Sequence, residues 1–199
     1  SPSDIKILEK QGCSAESWKL VTATEEFDPY RVRDTVFAGR VELGSLEGTL
    51  GGPDGIRRPC GISHARLADV CIRDGCAISG VHGWISNVIV NENVLIENVG
   101  TVVCSGETTF GNGHEIALLV ESGGRELAIT QETTSQIAHL AAMFRGRKNL
   151  VNRLHAMATK CARLAGDRRM VIGANACLVG CGEIVNVQVG ESARICGAS

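Results

Sequence analysis

The sequence lacks the features that define several broad protein classes. Long hydrophobic runs are missing: the aliphatic stretches, such as residues 117–120, are too short to span a bilayer or to form the core of a secretory signal. No two of the nine cysteines have C-x-x-C spacing, and their odd number disfavours a disulfide scaffold. The sequence therefore predicts a reduced, cytoplasmic protein with no membrane contact, no structural zinc ribbon and no other metal site.

Aromatic residues are few, and the net charge is small. The 199 residues include two Trp, one Tyr and four Phe beside 24 Gly, which favours tight turns and a thin aliphatic interior. The formal net charge is −2, whereas nucleic-acid-binding proteins are usually basic. Residues 145–169 nevertheless carry eight Lys or Arg and one acidic residue, Asp167, so this stretch is +7 and the remainder is −9. The basic stretch favours a small anion or an acidic protein surface as partner, and no nucleic acid is expected.

What the sequence does contain is an apolar repeat of six residues. Large apolar residues keep this step at Ile72, Ile78, Trp84, Val90, Ile96 and Val102, and resume it at Ile172, Leu178 and Ile184. In a three-sided solenoid, 18 residues close one coil, and residues 18 apart stack at about 4.8 Å. The predicted stacks are Leu67 with Ile85 and Val103, Val70 with Val88, Ile72 with Val90, Cys76 with Val94, and Ile78 with Ile96.

Polar residues between these positions, such as Asp69 and Asn87, are expected to face outward or to form corners where a positive φ is tolerated. The fold class predicted is mainly β, a hexapeptide solenoid with a helical insertion and a short N-terminal helical cap. An ordinary β-sandwich is the alternative, although sandwiches usually show more aromatic residues and hairpin turns.

The repeat also suggests domain limits. Residues 1–31 do not fit it and are predicted to form the N-terminal cap, whereas residues 32–130 are predicted to form coils. Residues 131–167 change to helical spacing and are expected to form a helical hairpin. Coils continue over 168–199 and stop just after Ile195 opens another hexad, which suggests a truncated end or a coil capped by a partner.

Four basic residues are candidate phosphate contacts. Gly123 and Gly124 precede Arg125 and could form a turn that presents its guanidinium to a phosphate, although a strand-to-strand turn explains the glycines equally well. The other three belong to the basic helical stretch, where plain solvent exposure is the alternative: Arg145, Arg147 and Lys148. Neither G-x-x-x-x-G-K-[ST] nor G-x-G-x-x-G occurs, which disfavours a self-contained nucleotide-binding fold.

The hexads resemble the left-handed β-helix of bacterial hexapeptide transferases. More closely, three segments resemble an uncharacterised bacterial family labelled UDP-N-acetylglucosamine pyrophosphorylase-related: Q-G-C-S-A-E-S-W (11–18), F-G-N-G-H-E-I (110–116) and E-S-G-G-R-E (121–126). The resemblance implies left-handed coils, trimeric association and active sites in clefts between subunits. Hexapeptide acyltransferases commonly use a histidine as general base, so the resemblance makes His82 and His114 the catalytic candidates.

The sequence thus predicts a hexapeptide-type transferase module that acts on or binds a nucleotide-sugar or a similar phosphorylated ligand, with no bound cofactor. A non-catalytic trimerisation or scaffold segment of a longer protein is the alternative. A zinc-dependent, carbonic anhydrase-like enzyme is less favoured. His64 and His82 are separated by the length of one predicted coil and could stack, with His114 as a third ligand, but the close histidine pair of that family is missing.

Overall fold

A computed structural model describes residues 1–117 and 126–197 of the chain. The chain divides into two compact units. Residues 1–106 and 168–197 form the sheet unit, and Glu107–Asp167 contains the inserted unit. The fold is mainly β, with a curled parallel sheet and, in the described residues, three α-helices. No helix among the described residues is both long and apolar enough to cross a membrane.

The strands of the sheet unit are β1 (Ser14–Ala15), β2 (Val21–Ala23), β3 (Val32–Leu43), β4 (Thr49–Gly51), β5 (Arg57–Pro59), β6 (Gly61–Ile72), β7 (Ala77–Val81), β8 (Ile85–Val90), β9 (Leu95–Val99), β10 (Thr101–Val103), β13 (Met170–Ile172), β14 (Cys177–Val179), β15 (Glu183–Val185) and β16 (Arg194–Cys196). Helix α1 (Pro2–Lys10) precedes them. The inserted unit contains strands β11 (Glu115–Ala117) and β12 (Glu126–Ala128) with helices α2 (Ser135–Met143) and α3 (Lys148–Ala165).

The strands of the main sheet are parallel, and their pairing produces three columns of apolar residues. The Ile78 column contains Val32, Ile62, Ile78, Ile96, Leu178 and Ile195. The Ile85 column contains Ala15, Phe37, Leu67, Ile85, Val102 and Ile184. The Ile172 column contains Ala23, Leu43, Ile72, Val90, Ile172 and Val189. The central members of every column are buried, so the columns form the core of the sheet unit.

Four predicted stacks are confirmed by this register: Leu67 with Ile85, Val70 with Val88, Ile72 with Val90, and Ile78 with Ile96. The prediction for Val103 is wrong, because Val102 pairs with Ile85 and Val103 pairs with Ser86. The chain takes seven residues from Ile78 to Ile85 but six from Ile96 to Val102, so the step from Ile85 to the next member of its column is 17 residues and not 18.

Positive φ angles recur where the chain leaves one column for the next. Asp69 and Asn87, the polar residues predicted at corners, have φ of 53° and 55°. Asn93, Asn175 and Ser192 show the same conformation at 57°, 60° and 56°. Asn and Asp side chains tolerate the left-handed region better than other non-glycine residues, which explains why these types lie there.

The boundaries of the structure differ in part from the sequence pattern. Residues 1–31 contain α1, whose N-cap Ser1 accepts from the Asp4 amide, but also β1 and β2, which pair with β3. Helices α2 and α3 lie inside the range 131–167. Residues 107–117 and 126–130, which the pattern places with the coils, belong to the inserted unit, where β11 and β12 pair in antiparallel fashion.

Candidate functional site

The two candidate histidines lie in different units. His82 follows β7, is exposed, and its ring Nε2 lies 2.9 Å from the side-chain oxygen of Asn98. His114 is exposed just before β11, where its backbone amide donates to the Gly111 carbonyl and its carbonyl accepts from the Ile129 amide. A role for either residue as general base stays a prediction.

The candidate phosphate contacts have unequal surroundings. Arg145 lines a pocket of the inserted unit. The Arg147 guanidinium lies 5.4 Å from the ring centroid of Phe144, a cation–π contact that holds the side chain against the helix end. Lys148 is the exposed first residue of α3. Arg125 lies outside the described residues.

The register of the sheet separates the histidines of the zinc hypothesis. Ser63 pairs with Ser79, so the residue after Ser63, His64, lies beside Gly80 and not beside His82. The His64 Nε2 instead approaches the Asp34 carboxylate at 3.3 Å. In the part of the chain that the structure describes, no group of three or more His, Cys, Asp or Glu residues is arranged to hold a metal ion.

A groove of about 600 Å³ on the sheet unit brings together arginines that the sequence analysis did not select. Strand pairing places Arg33 beside Ser63, Ser63 beside Ser79, and Ser79 beside Glu97. Side chains alternate between the two faces of a strand, so this polar row lies on the face opposite to the Ile78 column. Tyr30 and Arg31, which precede β3, also line this groove, called here the Arg33 groove.

Most charges around the Arg33 groove are already paired. The Arg58 guanidinium donates to Glu97 at 2.7 Å and to both oxygens of Asp54 at 2.8 Å. This pairing holds the pKa of the Asp54 carboxyl well below its usual range and raises the pKa of Arg58. Asp28 accepts from the Tyr30 amide at 3.0 Å and lies 3.6 Å from the Arg31 guanidinium.

Arg33 is the exception among the arginines of the groove. Its side chain is exposed, and it forms no ion pair or hydrogen bond through that side chain with any residue in 1–117 or 126–197. Tyr30 beside it is 71% exposed, so its ring is open to a ligand. An unpaired guanidinium, two serine hydroxyls and an open aromatic ring can together bind a phosphate and a planar ring.

The periodic pattern of the sequence does not reveal this groove, for an identifiable reason. Arg33 and Ser63 are separated along the chain by more than one predicted coil, because the hairpin of β4 and β5 lies between β3 and β6. Their separation of 30 residues is not a multiple of the 18 residues of a predicted coil, so a fixed coil length does not pair them. The local signal was limited to three neighbouring residues, Tyr30, Arg31 and Arg33, at the start of the first long strand.

Comparisons with known proteins find a distant relative and a family model. A 27% identical relative, an "Uncharacterized protein" of Treponema pallidum, aligns over 168 residues, which are 79% of this chain and 23% of the relative. The chain therefore spans about a quarter of the length of the curated relative that it matches. No solved structure matches the chain. A family model described as "Domain of unknown function (DUF4954)" matches residues 1–199, and the chain thus belongs to this family.

Proposed function

We propose that the sheet unit is a left-handed parallel β-helix of the hexapeptide type and that the chain is a transferase-type module of a longer protein. In this proposal the module binds a nucleotide-sugar or a similarly phosphorylated ligand. The length of the curated relative supports the view that further domains accompany the module.

The order in which the chain visits the three columns supports the β-helix. From Ile62 the chain passes to Leu67 and Ile72, and then returns through Ile78 to Ile85. Each new coil therefore places its apolar residues beside their counterparts in the preceding coil, as a three-sided solenoid requires. Residues with positive φ at the transitions are typical of tight corners. The handedness is proposed from the resemblance of the hexads.

The observation that carries the ligand proposal is Arg33, whose side chain forms no ion pair or hydrogen bond with any residue that the structure describes. A guanidinium without a carboxylate partner attracts an anion and can bind two phosphate oxygens at once. The exposed Tyr30 ring offers a stacking surface for a base, and stacking of a base on an aromatic side chain contributes about 1–3 kcal/mol. A groove of about 600 Å³ is within the size range of small-molecule sites.

The test is calorimetric titration with UDP-N-acetylglucosamine, UDP, uridine and inorganic phosphate. We expect UDP and its sugar to bind more tightly than uridine or phosphate alone, since only they engage both the ring and the guanidinium. Arg33→Ala is expected to weaken UDP binding about tenfold or more, the usual cost of a lost charge-assisted hydrogen bond. Tyr30→Ala is expected to weaken uridine and UDP binding while leaving phosphate binding unchanged.

Arg66→Ala provides the matched control, because Arg66 is an exposed arginine of β6 that does not line the groove. It removes the same charge and should leave every affinity unchanged. If no phosphorylated compound binds, or if Arg33→Ala and Arg66→Ala weaken binding equally, the ligand proposal is wrong.

The alternative is a non-catalytic segment that holds copies of the longer protein together as a trimer. It predicts that His82→Ala and His114→Ala leave the activity of the full-length protein unchanged. It also predicts that damage to the core of the sheet unit abolishes the oligomer. A ligand that binds the Arg33 groove would favour the transferase-type module over this scaffold.

A further inference from the structure

Helix α3 of the inserted unit presents an exposed face that the proposed function does not use. One side of α3 packs within its own unit, where the helix contacts β12 and α2. Ala158 on that side is 3% exposed, and Leu154 and Cys161 are half-buried. Residues three and four apart lie on the same side of a helix, so these three residues mark the packed side of α3.

Four residues away from this packed side form an exposed line along α3. Arg153, Met157, Lys160 and Leu164 follow one another at intervals of four, three and four residues, which keeps them on one side of the helix. All four are exposed, and the exposed fractions of Met157 and Leu164 are 60% and 73%. A cation thus alternates with an apolar side chain over about three helical turns. We call this line the α3 stripe.

The cations of the α3 stripe are not neutralised by the described part of the chain. Neither Arg153 nor Lys160 forms an ion pair or a hydrogen bond through its side chain with any residue in 1–117 or 126–197. Helix α3 carries two further cations, Lys148 and Arg163, and no acidic residue. A surface that covers the α3 stripe must therefore bring negative charge to it.

The narrow shape of the α3 stripe favours a helix as its partner. Intervals of four and three residues are those of the two contact positions of a heptad, through which one helix packs along another. A helix that lies on a membrane presents a broad apolar face instead. Polar residues border the α3 stripe on one side: Asn149, Asn152 and Arg163.

The other described helices of the chain lack the acidic character that such a partner needs. Helix α1 has the sequence P-S-D-I-K-I-L-E-K, in which two acidic residues are balanced by two lysines. Helix α2 has the sequence S-Q-I-A-H-L-A-A-M and contains no Asp or Glu. A second copy of the described residues therefore does not supply an acidic helix.

We infer that the α3 stripe binds an acidic amphipathic helix of a partner protein. Carboxylates of the partner helix pair with Arg153 and Lys160, and its aliphatic side chains pack on Met157 and Leu164. Contact with apolar groups on either side removes water from the ion pairs and strengthens them. The composition of the basic stretch indicates an acidic partner in general, whereas the α3 stripe specifies a helix in which acidic and aliphatic side chains alternate. This surface involves no residue of the Arg33 groove and stands independently of the proposed function.

The test measures binding of synthetic helical peptides to the whole chain by fluorescence anisotropy. In two acidic peptides of three heptads each, glutamate and leucine occupy the two contact positions in either order, because the partner helix can run in either direction. Lactam bridges on the outer side keep each peptide helical. We expect one acidic peptide to bind about tenfold or more tightly than a peptide with lysine in place of glutamate. A peptide of the same composition with its glutamates on the outer side should bind as weakly as the lysine peptide.

A charge exchange assigns the binding to the α3 stripe. Arg153→Glu with Lys160→Glu should weaken binding of the acidic peptide about tenfold or more and should make the lysine peptide the tighter ligand, because opposite charges then face each other only in the second complex. Arg147→Glu with Lys148→Glu is the matched control, since it reverses two exposed charges at the start of α3, outside the α3 stripe. It should leave the order of the two peptides unchanged.

The apolar part of the α3 stripe has its own variant. Met157→Ser should weaken binding of the acidic peptide about tenfold, because the methionine side chain is buried only in the complex. Met143→Ser is the control, since Met143 is 66% exposed on α2 and lies outside the α3 stripe. It should not change the affinity. Circular dichroism of every variant shows whether the helices are retained.

Failure of both acidic peptides to bind at millimolar concentration overturns the inference. In that case, sedimentation of the chain with phosphatidylglycerol vesicles, lost in Arg153→Glu with Lys160→Glu, would assign the α3 stripe to a lipid surface. Equal affinity for the acidic peptides and the peptide with outer glutamates also overturns the inference, as does an equal effect of the two double variants in folded protein. None of these outcomes bears on Arg33→Ala, so the two proposals fail separately.

Discussion

At the scale of single residues, burial changes the chemistry of the cysteines. The Cys76 side chain is inaccessible to solvent, and its thiol donates to the Asn91 carbonyl at 3.1 Å. Burial raises the pKa of this thiol to about 12, because a thiolate there would lose its hydration. Cys196, by contrast, is an exposed free thiol. The buried Cys76 thiol therefore stays protonated at neutral pH and acts as a small apolar side chain.

The raised pKa of Cys76 predicts a loss of stability in alkali. The unfolded thiol titrates near its usual value of 9.0, and the folded one near 12. The contribution of Cys76 to the free energy of unfolding is therefore complete below pH 9 and is lost as the pH rises from 9 towards 12. Urea titrations at pH 7 to 10 should show a smaller alkaline loss for Cys76→Val than for the unmodified chain. Equal slopes would contradict the prediction.

At the scale of elements, the β4–β5 hairpin covers an apolar patch on the outside of the sheet. Ala77, Leu95 and Cys177 are buried although they alternate with the core residues of the Ile78 column, and Leu50 of β4 packs against them. Arg58 of β5 binds both Asp54 of the hairpin connection and Glu97 of β9. The hairpin thus contacts the sheet through the apolar side chain of Leu50 and through the ion pair between Arg58 and Glu97.

Removing the ionic bridge should loosen the hairpin alone. In Glu97→Gln, Arg58 keeps Asp54 but loses its charged partner on the sheet. We expect amide exchange in residues 49–59 to increase about fivefold, equivalent to about 1 kcal/mol for a partly exposed pair. Hydrogen-exchange mass spectrometry provides the measurement. Glu92→Gln, on an exposed turn of the same unit, is the control. Unchanged exchange in 49–59 would show that Leu50 suffices.

At the scale of the whole molecule, the three columns continue across the insertion. Val90 pairs with Ile172, Ile96 with Leu178, and Val102 with Ile184, so β13 to β15 align with strands before the inserted unit. A parallel sheet assembled from distant segments is stabilised by its shared core rather than by local turns. The columns should therefore unfold together.

A charge placed in a column tests this cooperativity. Ile72 is 1% exposed between Leu43 and Val90, so Ile72→Asp buries a carboxylate without a partner. We expect a loss of more than about 4 kcal/mol, enough to abolish the cooperative thermal transition and any oligomer. Ile56→Asp is the control, because Ile56 is 61% exposed. Thermal melts and light scattering provide the readout, and a normal melt of Ile72→Asp would refute the columnar core.

Much of the sheet could be predicted because its core residues recur at short, regular intervals in the sequence. Leu67, Val70 and Ile72 are apolar on either side of the exposed Asp69, and Ile85, Val88 and Val90 repeat this spacing around Asn87 one coil later in β8, so burial of the apolar residues specifies the register. The prediction failed at Val103, because the chain takes seven residues from Ile78 to Ile85 but only six from Ile96 to Val102, and a fixed step of 18 from Ile85 therefore passes Val102 by one residue.

The sequence by itself determined the mainly β class, the pairing of Ile72 with Val90 and the helices after residue 131. Only the tertiary structure decided which polar residues meet. Arg33 lies beside Ser63 because of a hairpin that breaks the period, and Glu115 approaches His155 because a strand and a helix pack together. Buried apolar residues recur at short intervals along the chain, so they are visible as a period in the sequence. A binding site depends on a few contacts between distant segments, and such contacts leave no period to detect.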